Sequence, residues 1–283
     1  MNIVVAGGSG VIGRALVPLL VQEGHEVTAL TRTGHHAEAL KKMGARPVAL
    51  DVFDREAVFA VLRDAKPDTV IHQLTSLGAR NFAEHARIRK EGTRNLVDAS
   101  LACGVRRMIA QSISWAYAAG DGPAAEDEPL DLDAPPPRNA TVEAVHALES
   151  TAAEMPDYVI LRYGLFYGPG TWYTPGGYIA EQVQQRQLPA ADGVSSFIHV
   201  EDAASAAVLA IGWPSGIYNI TDCEPAPATV WLPVFADALG APAPLVQPGG
   251  ASWERGASNG KALRHGWKPR YASWRDGFRH GLT

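Results

Sequence analysis

The sequence is poor in cysteine, carries no large excess of charge and has no uninterrupted apolar run long enough to span a membrane. Cys103 and Cys223 are its only cysteines, which excludes a disulfide framework and a thiolate metal centre, and no metal site is predicted. A net charge of −5 over 283 residues argues against nucleic acid or an anionic membrane as a partner. Four glycines and Arg14 interrupt the apolar N-terminus, which does not fit a signal peptide, so a cytoplasmic protein is expected.

Short runs rich in β-branched residues alternate with amphipathic stretches over the first 165 residues. The predicted strands are IVVA (3–6), HEVTALT (25–31), RPVALDV (46–52), DTVIHQL (68–74), RRMIAQS (106–112) and YVILRYG (158–164). Strands that alternate with helices form βαβ units with parallel strands and right-handed crossovers. The predicted fold class is therefore α/β, a Rossmann-type doubly wound parallel sheet with a small C-terminal substrate-capping domain.

The amino-acid composition of the chain changes after Gly164, where glycine, proline and aromatic residues become frequent. We expect residues 1–165 to form a dinucleotide-binding Rossmann domain and residues 166–283 to form mainly a substrate-binding cap. Two later runs, FIHV and GIYNIT, have strand character. They predict that part of the cap, about 197–221, returns to the Rossmann sheet.

The segment AGGSGVIG (6–13) follows the first predicted strand and opens the first predicted helix. Gly7 permits a tight turn, Gly10 lets the backbone approach a pyrophosphate, and Gly13 lets the helix and strand pack closely. The N-terminus of the helix offers free N–H groups and a positive dipole end to phosphates. Isolated glycines also serve plain turns, but the strand–loop–helix context favours dinucleotide binding.

The end of the second predicted strand, ALTRTG (29–34), indicates which dinucleotide is bound. An NAD site usually places an acidic residue here to accept hydrogen bonds from the ribose hydroxyls. This sequence has Thr31 at that position, followed by Arg32, and a guanidinium can bind a 2′-phosphate with two parallel hydrogen bonds. NADP(H) is therefore the preferred cofactor, with NAD(H) second; the alternative is that Arg32 is only a solvated surface charge.

Asp51 and Val52 close the third predicted strand. The Asp51 carboxylate can accept from the adenine amino group while Val52 packs on the ring. A helix cap is an equally good interpretation, because Asp54 lies close by.

Further motifs are spread over nearly the whole chain, in a specific order and spacing. They are VIHQL (70–74), EGTRNLVDASLACGVRRMI (91–109), SWAY (114–117), LRYGLFYGPG (161–170), FIHVEDAA (197–204) and GIYNI (216–220). Together with the glycine loop they resemble the extended short-chain dehydrogenase/reductase family, which contains nucleotide-sugar epimerases and dehydratases. The resemblance implies further cofactor contacts from Val11, Ile12, Leu74, Thr75, Tyr163 and Gly164.

In that family a Tyr and a Lys four residues apart on one helix carry the acid–base chemistry. The tyrosine exchanges a proton with the substrate oxygen, and the lysine lowers its pKa. Here the tyrosine position falls on Thr141 or Val142 and the lysine position on Val145 or His146, and no Tyr-x-x-x-Lys occurs in 138–156. The chain is therefore predicted to be an atypical member with non-standard catalytic residues.

Two more positions depart from the pattern that the resemblance implies. The catalytic Ser or Thr after the fifth strand falls on Ile113, with Ser112 and Ser114 on either side, and Arg89 stands where an asparagine is usual. Ser112 and Ser114 are expected at the carboxyl end of a central strand, where open α/β sheets bind ligands. They are predicted to contact substrate or cofactor.

His146 is the third candidate for replacement chemistry, because its unperturbed pKa lies near neutrality. It is predicted to contact the nicotinamide ribose or to relay a proton. Glu143 is three residues away and shares its helix face, so a surface Glu–His pair is the alternative interpretation.

Aromatic residues are the predicted substrate contacts, because they suit stacking on a ring or an apolar group. These residues are Tyr117, Tyr167, Trp172, Tyr173 and Tyr178; for Tyr117 and Tyr167, structural packing in the core is the alternative interpretation. A nucleotide sugar would also need cations for its diphosphate, for which Arg186, Arg255 and Lys261 are available. The balance favours a small, partly apolar substrate.

The leading hypothesis is an NADPH-dependent oxidoreductase that reduces a C=O, C=N or activated C=C group. An iminium or similarly electrophilic substrate relaxes the need for a strong acid, because hydride addition then creates no alkoxide. Two alternatives stay open, a catalytically idle NADP(H)-binding sensor or scaffold and a nucleotide-sugar epimerase or dehydratase. The resemblance also implies that the helices at 82–103 and 140–154 can pair in a homodimer.

Overall fold

The computed structural model describes residues 1–76 and 81–283, and its central element is a seven-stranded sheet. The strands in chain order are β1 (Asn2–Ala6), β2 (Glu26–Thr31), β3 (Arg46–Ala49), β4 (Thr69–His72), β5 (Arg107–Ile113), β6 (Asp157–Tyr163), β7 (Leu165–Tyr167), β8 (Val194–Ser195), β9 (Phe197–His199), β10 (Gly216–Ile220) and β11 (Ala226–Pro227). The large sheet has the order β10-β6-β5-β4-β1-β2-β3, and its pairings from β3 to β5 are parallel. The predicted Rossmann-type α/β fold is confirmed.

Helices connect these strands. They are α1 (Val11–Gln22), α2 (Ala37–Lys42), α3 (Arg55–Ala65), α4 (Phe82–Arg87), α5 (Thr93–Ala102), α6 (Arg138–Ala152), α7 (Tyr178–Gln184), α8 (Val200–Leu209), α9 (Ala228–Ala238), α10 (Gly260–Arg264) and α11 (Trp274–His280). A π-helical turn, Ile88–Gly92, joins α4 to α5, so the long helix predicted before Cys103 is continuous but locally widened. No helix among the described residues is both long and apolar enough to cross a membrane.

The sheet order places a topological switch between β1 and β4. The chain runs outward through β2 and β3 on one side of β1, and through β4, β5 and β6 on the other. At such a point the loops after neighbouring strands diverge and leave a crevice at the carboxyl ends of the strands. The loop β1–α1 and the residues after β4 therefore lie where ligands bind in this fold class.

Local sequence explains where α3 begins and ends. Asp54 is its N-cap, and the side chain accepts a 3.0 Å hydrogen bond from the N–H of Ala57. Lys66 closes the helix in the left-handed conformation. Val58 and Leu62, four residues apart, are fully buried and fix the inner face of the helix in the core.

The chain divides into two compact units that interleave along the sequence. Unit 1 contains residues 1–112, 132–161 and 204–217, and unit 2 contains residues 113–131, 162–203 and 218–283. The core of unit 1 is aliphatic, built from residues such as Val70, Leu96 and Met108. The core of unit 2 is largely aromatic and includes Tyr173, Phe197 and Phe278. The predicted domain boundary at residues 165 and 166 stays a prediction.

Candidate functional site

Two glycines of the β1–α1 loop are required by the loop itself. Gly7 has φ +92°, and a Cβ there would lie 2.7 Å from the carbonyl oxygen of Gln73. A Cβ at Gly13 would lie 2.3 Å from the carbonyl oxygen of Gly7. Neither position can hold a side chain without moving backbone, so the sequence forces the chain to fold tightly between β1 and α1.

Gly10 has a different role from the other two. A Cβ at Gly10 would meet only the Gly7 oxygen, at 3.2 Å, so the space beside it is open. Gly10 is the N-cap of α1 and supplies no side-chain cap, and the first helical turn, which contains Val11 and Ile12, leaves N–H groups without intrahelical partners. With the helix dipole behind it, this open surface fits the pyrophosphate of a dinucleotide.

The end of β2 presents hydroxyl groups and a cation beside this loop. The Thr31 hydroxyl is buried and lies 2.8 Å from the Ser9 hydroxyl. Arg32 is exposed over 64% of its side chain and forms an ion pair with Glu84 of α4. A bound 2′-phosphate would have to share or displace that carboxylate.

Asp51 is exposed, and its carboxylate accepts a 3.0 Å hydrogen bond from the N–H of Phe53. This turn explains why β3 ends at Ala49, earlier than predicted. Val52 is buried, and its carbonyl accepts a 2.9 Å bond from the Asn95 amide. The cap of α3 is Asp54, which leaves the second carboxylate oxygen of Asp51 for a ligand.

The residues after β4 lie beside the glycine loop. The N–H of Leu74 donates to His72 Nδ1 over 3.2 Å, and Thr75 is exposed. The amide group of Gln73 is buried, and neither its oxygen nor its nitrogen has a hydrogen-bond partner among the described residues. A buried unpaired amide is costly, so Gln73 is a polar residue that a ligand could satisfy. Sequence reasoning missed it, although a glutamine inside the apolar run DTVIHQL was a usable signal.

Ser112 is held by a carboxylate. Its hydroxyl donates a 2.6 Å hydrogen bond to Glu149 Oε1 on α6, and both side chains are buried. The predicted catalytic hydroxyl is therefore oriented by a residue that sequence reasoning did not single out. The spacing of 37 residues gave no local signal for the pair.

A buried cation lies near this pair on the π-helical turn. Arg89 is 6% exposed, and burial lowers its pKa to about 10, an effect that the charge of Glu149 opposes. The charge of Arg89 also affects the pKa values of two buried histidines. Burial, and then the charge of Arg89, lower the pKa of His72 to about 4 and that of His85 to about 3. At neutral pH unit 1 therefore contains a buried guanidinium beside two neutral imidazoles.

His146 lies on the outside of α6. It is exposed, as is Glu143, and it makes no hydrogen bond or ion pair with any described residue. The structure does not bring His146 into hydrogen-bond contact with Ser112, whose partner is Glu149. Its catalytic role stays a prediction.

Ser114 lies in unit 2, immediately after β5. Its N–H donates to the carbonyl of Tyr163 over 2.8 Å, while its hydroxyl makes no hydrogen bond within the described part of the chain. Tyr163 is fully buried and donates to the carbonyl of Ala203. At Gly164 a Cβ would lie 2.7 Å from the carbonyl oxygen of Ser196, so close backbone packing requires this glycine.

Three of the predicted substrate tyrosines are packed inside unit 2. Tyr117 donates a 2.7 Å hydrogen bond to Asn219, and burial raises its pKa to about 12. Tyr167 and Tyr173 pack edge-to-face against aromatic rings of the core, and burial raises the pKa of both phenols. A buried side chain reaches a ligand only if its surroundings move, so these substrate contacts stay predictions.

Trp172 and Tyr178 form an edge-to-face pair with ring centroids 5.7 Å apart. Tyr178 is the more open of the two at 37% exposed. Within unit 2 they leave an aromatic edge at the surface, and their contact with substrate also stays a prediction.

Unit 2 also contains a pocket of about 210 Å³. Its wall includes Ser114, Trp115, Leu165, Trp253 and Glu254. Sequence reasoning had placed Ser114 in a ligand site but had missed both tryptophans, which lie 138 residues apart in the chain and meet only in the folded structure.

The cations considered for a diphosphate are partly committed to protein partners. Arg255 is buried; it donates to the carbonyls of Ala118 and Gly122 and forms an ion pair with Glu128. Lys261 lies over the Tyr218 ring, 4.3 Å from its centroid.

The model of the NAD dependent epimerase/dehydratase family matches residues 3–221. The chain belongs to this family. It is 44% identical, over 98% of its length and 99% of the relative's, to a 3-diazoavenalumate denitrifying reductase of Streptomyces sp. It is 29% identical, over 86% of its length and 77% of the relative's, to the 2-alkyl-3-oxoalkanoate reductase of Stenotrophomonas maltophilia (strain K279a).

Solved structures give the same assignment. The UDP-glucose 4-epimerase of Thermus thermophilus in complex with NAD superposes with a TM-score of 0.77 at 26% identity, over 100% of this chain and 98% of that one. The resemblance to the extended short-chain dehydrogenase/reductase family is thereby confirmed, and this member of the epimerase/dehydratase family is an NAD(P)-dependent oxidoreductase. The glycine loop, with the open surface at Gly10, fits the dinucleotide that such enzymes use.

Proposed function

We propose that this enzyme is an NADPH-dependent reductase that removes a diazo group from a small aromatic substrate as N₂. The observation that carries the proposal is the composition of α6, which contains neither tyrosine nor lysine. Reduction of a carbonyl creates an alkoxide that must be protonated, whereas reduction of a diazonium carbon does not. The similarity over almost the full length of a denitrifying reductase of a diazo compound supports the same reaction class.

The cofactor, when bound, supplies a hydride, so that a C–H bond replaces the C–N bond and N₂ leaves with the former C–N electron pair. The overall change is balanced without a proton from the protein. The residues of the chain therefore need only bind and orient the reactants.

Each cofactor-binding element has a role that follows from its geometry. The first turn of α1 and the backbone at Gly10 hold the pyrophosphate. Ser9, Thr31 and Arg32 hold the 2′-phosphate, and the absence of a carboxylate at Thr31 removes the repulsion that would favour NADH. Asp51 accepts from the adenine amino group.

Ser114 and Ser112 have different roles, and only Ser114 contacts the substrate. The Ser114 hydroxyl lines a pocket and is free to donate a hydrogen bond to an oxygen substituent of the substrate. The Ser112 hydroxyl donates to Glu149 and therefore stabilises the end of β5 rather than the reacting atoms.

The test is a labelled turnover experiment kept in the dark. Purified enzyme is incubated with NADPH deuterated at its transferable hydrogen and an arenediazonium carboxylate without a ring hydroxyl, whose two diazo nitrogens are nitrogen-15. We expect doubly labelled N₂, one deuterium on the ring carbon and one NADPH consumed for each substrate. A reaction without enzyme measures spontaneous reduction.

Consumption of NADPH with both nitrogens kept on the ring would contradict the proposal. So would turnover of a ketone of the same size with no release of N₂. Carbonyl reduction is the second candidate function, because a 3-oxoalkanoate reductase is a relative over 86% of this chain and the free Ser114 hydroxyl could bind a carbonyl oxygen.

A further inference from the structure

The pocket of unit 2 is small. Its volume of about 210 Å³ lies below the range of about 300–1,000 Å³ for pockets that hold drug-sized ligands. It exceeds by more than a third the roughly 150 Å³ of an engineered apolar cavity that binds benzene. One aromatic ring with short substituents therefore fills it, whereas a nucleotide sugar does not fit within it.

The charge of the pocket has one sign. Glu254 is the only ionisable residue that lines it in the described part of the chain. The adjacent Arg255 points its guanidinium at Glu128 and at two carbonyl oxygens, so it does not offset this charge. A negative group entering the pocket is repelled by the carboxylate, and a positive group is attracted.

The Glu254 carboxylate is held in place rather than free to swing away. Its Oε2 accepts a 2.6 Å hydrogen bond from the N–H of Ala251. It also packs on Gly193, where an added Cβ would lie 2.6 Å from the carboxylate, so only glycine leaves room for it. A fixed charge interacts with a ligand without losing side-chain entropy when the ligand binds.

Two indoles complete the site. Trp115 and Trp253 belong to separate segments of unit 2 and both line the pocket. The face of an indole is the best cation-binding surface among the aromatic side chains. The free hydroxyl of Ser114 adds a hydrogen-bond donor and acceptor at the same wall.

From this arrangement we propose that the Trp115–Trp253–Glu254 pocket selects a positively charged, electron-poor aromatic ring, with Glu254 as the counter-ion that determines specificity. This inference rests on the proposed function and narrows it, since the substrate is then bound as the arenediazonium cation. A carboxylate or any other anionic substituent of the substrate lies outside this pocket. Glu254 and the indoles hold the ring and do not exchange protons with it.

The test uses two probes of the same shape that differ in charge, meta-hydroxyphenyltrimethylammonium and meta-tert-butylphenol. Isothermal titration of the purified full chain gives the Kd of each probe, with no cofactor and no turnover. We expect the cation to bind at least about tenfold more tightly than the neutral probe. E254Q should remove most of that preference while leaving the Kd of the neutral probe within about twofold.

Two variants make the result interpretable. E181Q neutralises an exposed carboxylate of α7 outside the pocket, and the preference for the cation should stay unchanged. W253L should weaken the binding of both probes, and that of the cation more, because the substitution removes an indole from the pocket wall. The ratio of the two Kd values is taken on one protein sample, so a smaller folded fraction in a variant affects both probes equally and does not change the ratio.

Equal affinity of the wild-type protein for both probes would overturn the inference, as would an E254Q variant that keeps the full preference for the cation. These outcomes are separate from the fate of the proposed function. A preference for the cation in a protein that releases no N₂ leaves the pocket assignment standing and removes the reaction. Release of N₂ by a protein without a preference for the cation supports the reaction and removes the pocket assignment.

Discussion

Arg32 is the residue at which cofactor choice can be tested most directly. It is exposed, its guanidinium is paired with Glu84, and the preceding Thr31 carries no charge. Two parallel hydrogen bonds from a guanidinium to a 2′-phosphate are stronger than neutral hydrogen bonds. We expect R32A to weaken NADPH binding by about tenfold to a hundredfold, and NADH binding by less than about twofold, in fluorescence titrations.

Glu84 provides the matched control for this variant. E84Q keeps the shape of the side chain but removes the charge that competes with a phosphate for Arg32. NADPH binding by E84Q should equal or exceed that of the wild-type protein. Equal losses of NADPH and NADH affinity in R32A would mean that Arg32 acts on the loop and not on the 2′-phosphate.

The buried charges near Ser112 allow a second prediction at the residue scale. E149A leaves the guanidinium of Arg89 without the nearby carboxylate and the Ser112 hydroxyl without its acceptor. Leaving a buried donor without its acceptor costs about 1–3 kcal/mol, so the urea midpoint of E149A should fall by at least the equivalent of this amount. The double variant R89M/E149A removes both charges and should recover part of the loss. If R89M adds its own full cost instead, the two charges are not coupled.

At the scale of elements, the β1–α1 loop separates glycines needed for folding from a glycine needed for the ligand. G13A would push a Cβ to 2.3 Å from the Gly7 oxygen, whereas G10A meets that oxygen only at 3.2 Å. G13A should therefore lower the melting temperature by several degrees. G10A should melt within about two degrees of the wild-type protein but lose about tenfold or more in NADPH affinity, because its methyl group occupies the surface that faces the pyrophosphate.

Differential scanning fluorimetry and a cofactor titration on the same two variants check this prediction. A G10A protein that binds NADPH normally would remove the pyrophosphate from the N-terminus of α1. A G13A protein that melts normally would show that the loop can relax around a methyl group.

The elements themselves were largely predictable, and the errors have local causes. All seven strands of the large sheet overlap the runs that indicated them, six in the first 165 residues and β10 at GIYNIT, because parallel strands buried on both faces are rich in apolar residues. β3 is shorter than predicted because the Asp51 side chain binds the Phe53 N–H and turns the chain. The π-helical turn at 88–92 was not predicted, since one extra residue in a helix hardly disturbs the apolar period.

At the scale of the whole molecule, buried titratable groups make stability depend on pH in both directions. His85 has its pKa lowered to about 3 in the folded state, so between that value and the unfolded value of about 6.5 the unfolded chain binds the extra proton. The free energy of unfolding therefore falls as the pH falls through this window. His72 acts in the same direction, with a folded pKa of about 4.

H85N is expected to be less sensitive to acid than the wild-type protein. An asparagine oxygen can replace Nδ1 as the acceptor for the Ser76 N–H and does not titrate. Between pH 6 and pH 4, the loss of unfolding free energy in H85N should be smaller by about 1.4 kcal/mol for each pH unit. Urea unfolding at several pH values measures this, and identical slopes for the two proteins would contradict the buried, neutral state of His85.

Asp222 makes stability depend on pH in the opposite direction to the two histidines. Burial raises its pKa to about 8, so the folded state holds a proton that the unfolded state has lost above about pH 4, and stability falls as the pH rises between these values. D222N mimics the protonated carboxyl group and keeps an oxygen to accept from the Glu224 N–H. We expect D222N to melt at a higher temperature than the wild-type protein at pH 8 and at a similar temperature at pH 4. An unchanged difference across this range would mean that Asp222 is ionised in the folded state.

The sequence by itself determined the α/β class, and it predicted the dinucleotide loop and a catalytic helix without the Tyr-x-x-x-Lys pair, because each depends on residues that are neighbours in the chain. A glycine that must turn, a strand that must be buried and a helix that must begin are all specified within about ten residues. Only the tertiary structure decided which polar groups meet. Glu149 reaches Ser112 over 37 residues, and Trp253 and Glu254 join Ser114 and Trp115 in one pocket. The physical reason is that side-chain partners of this kind are chosen by the packing of distant segments, and no local period in the sequence records that packing.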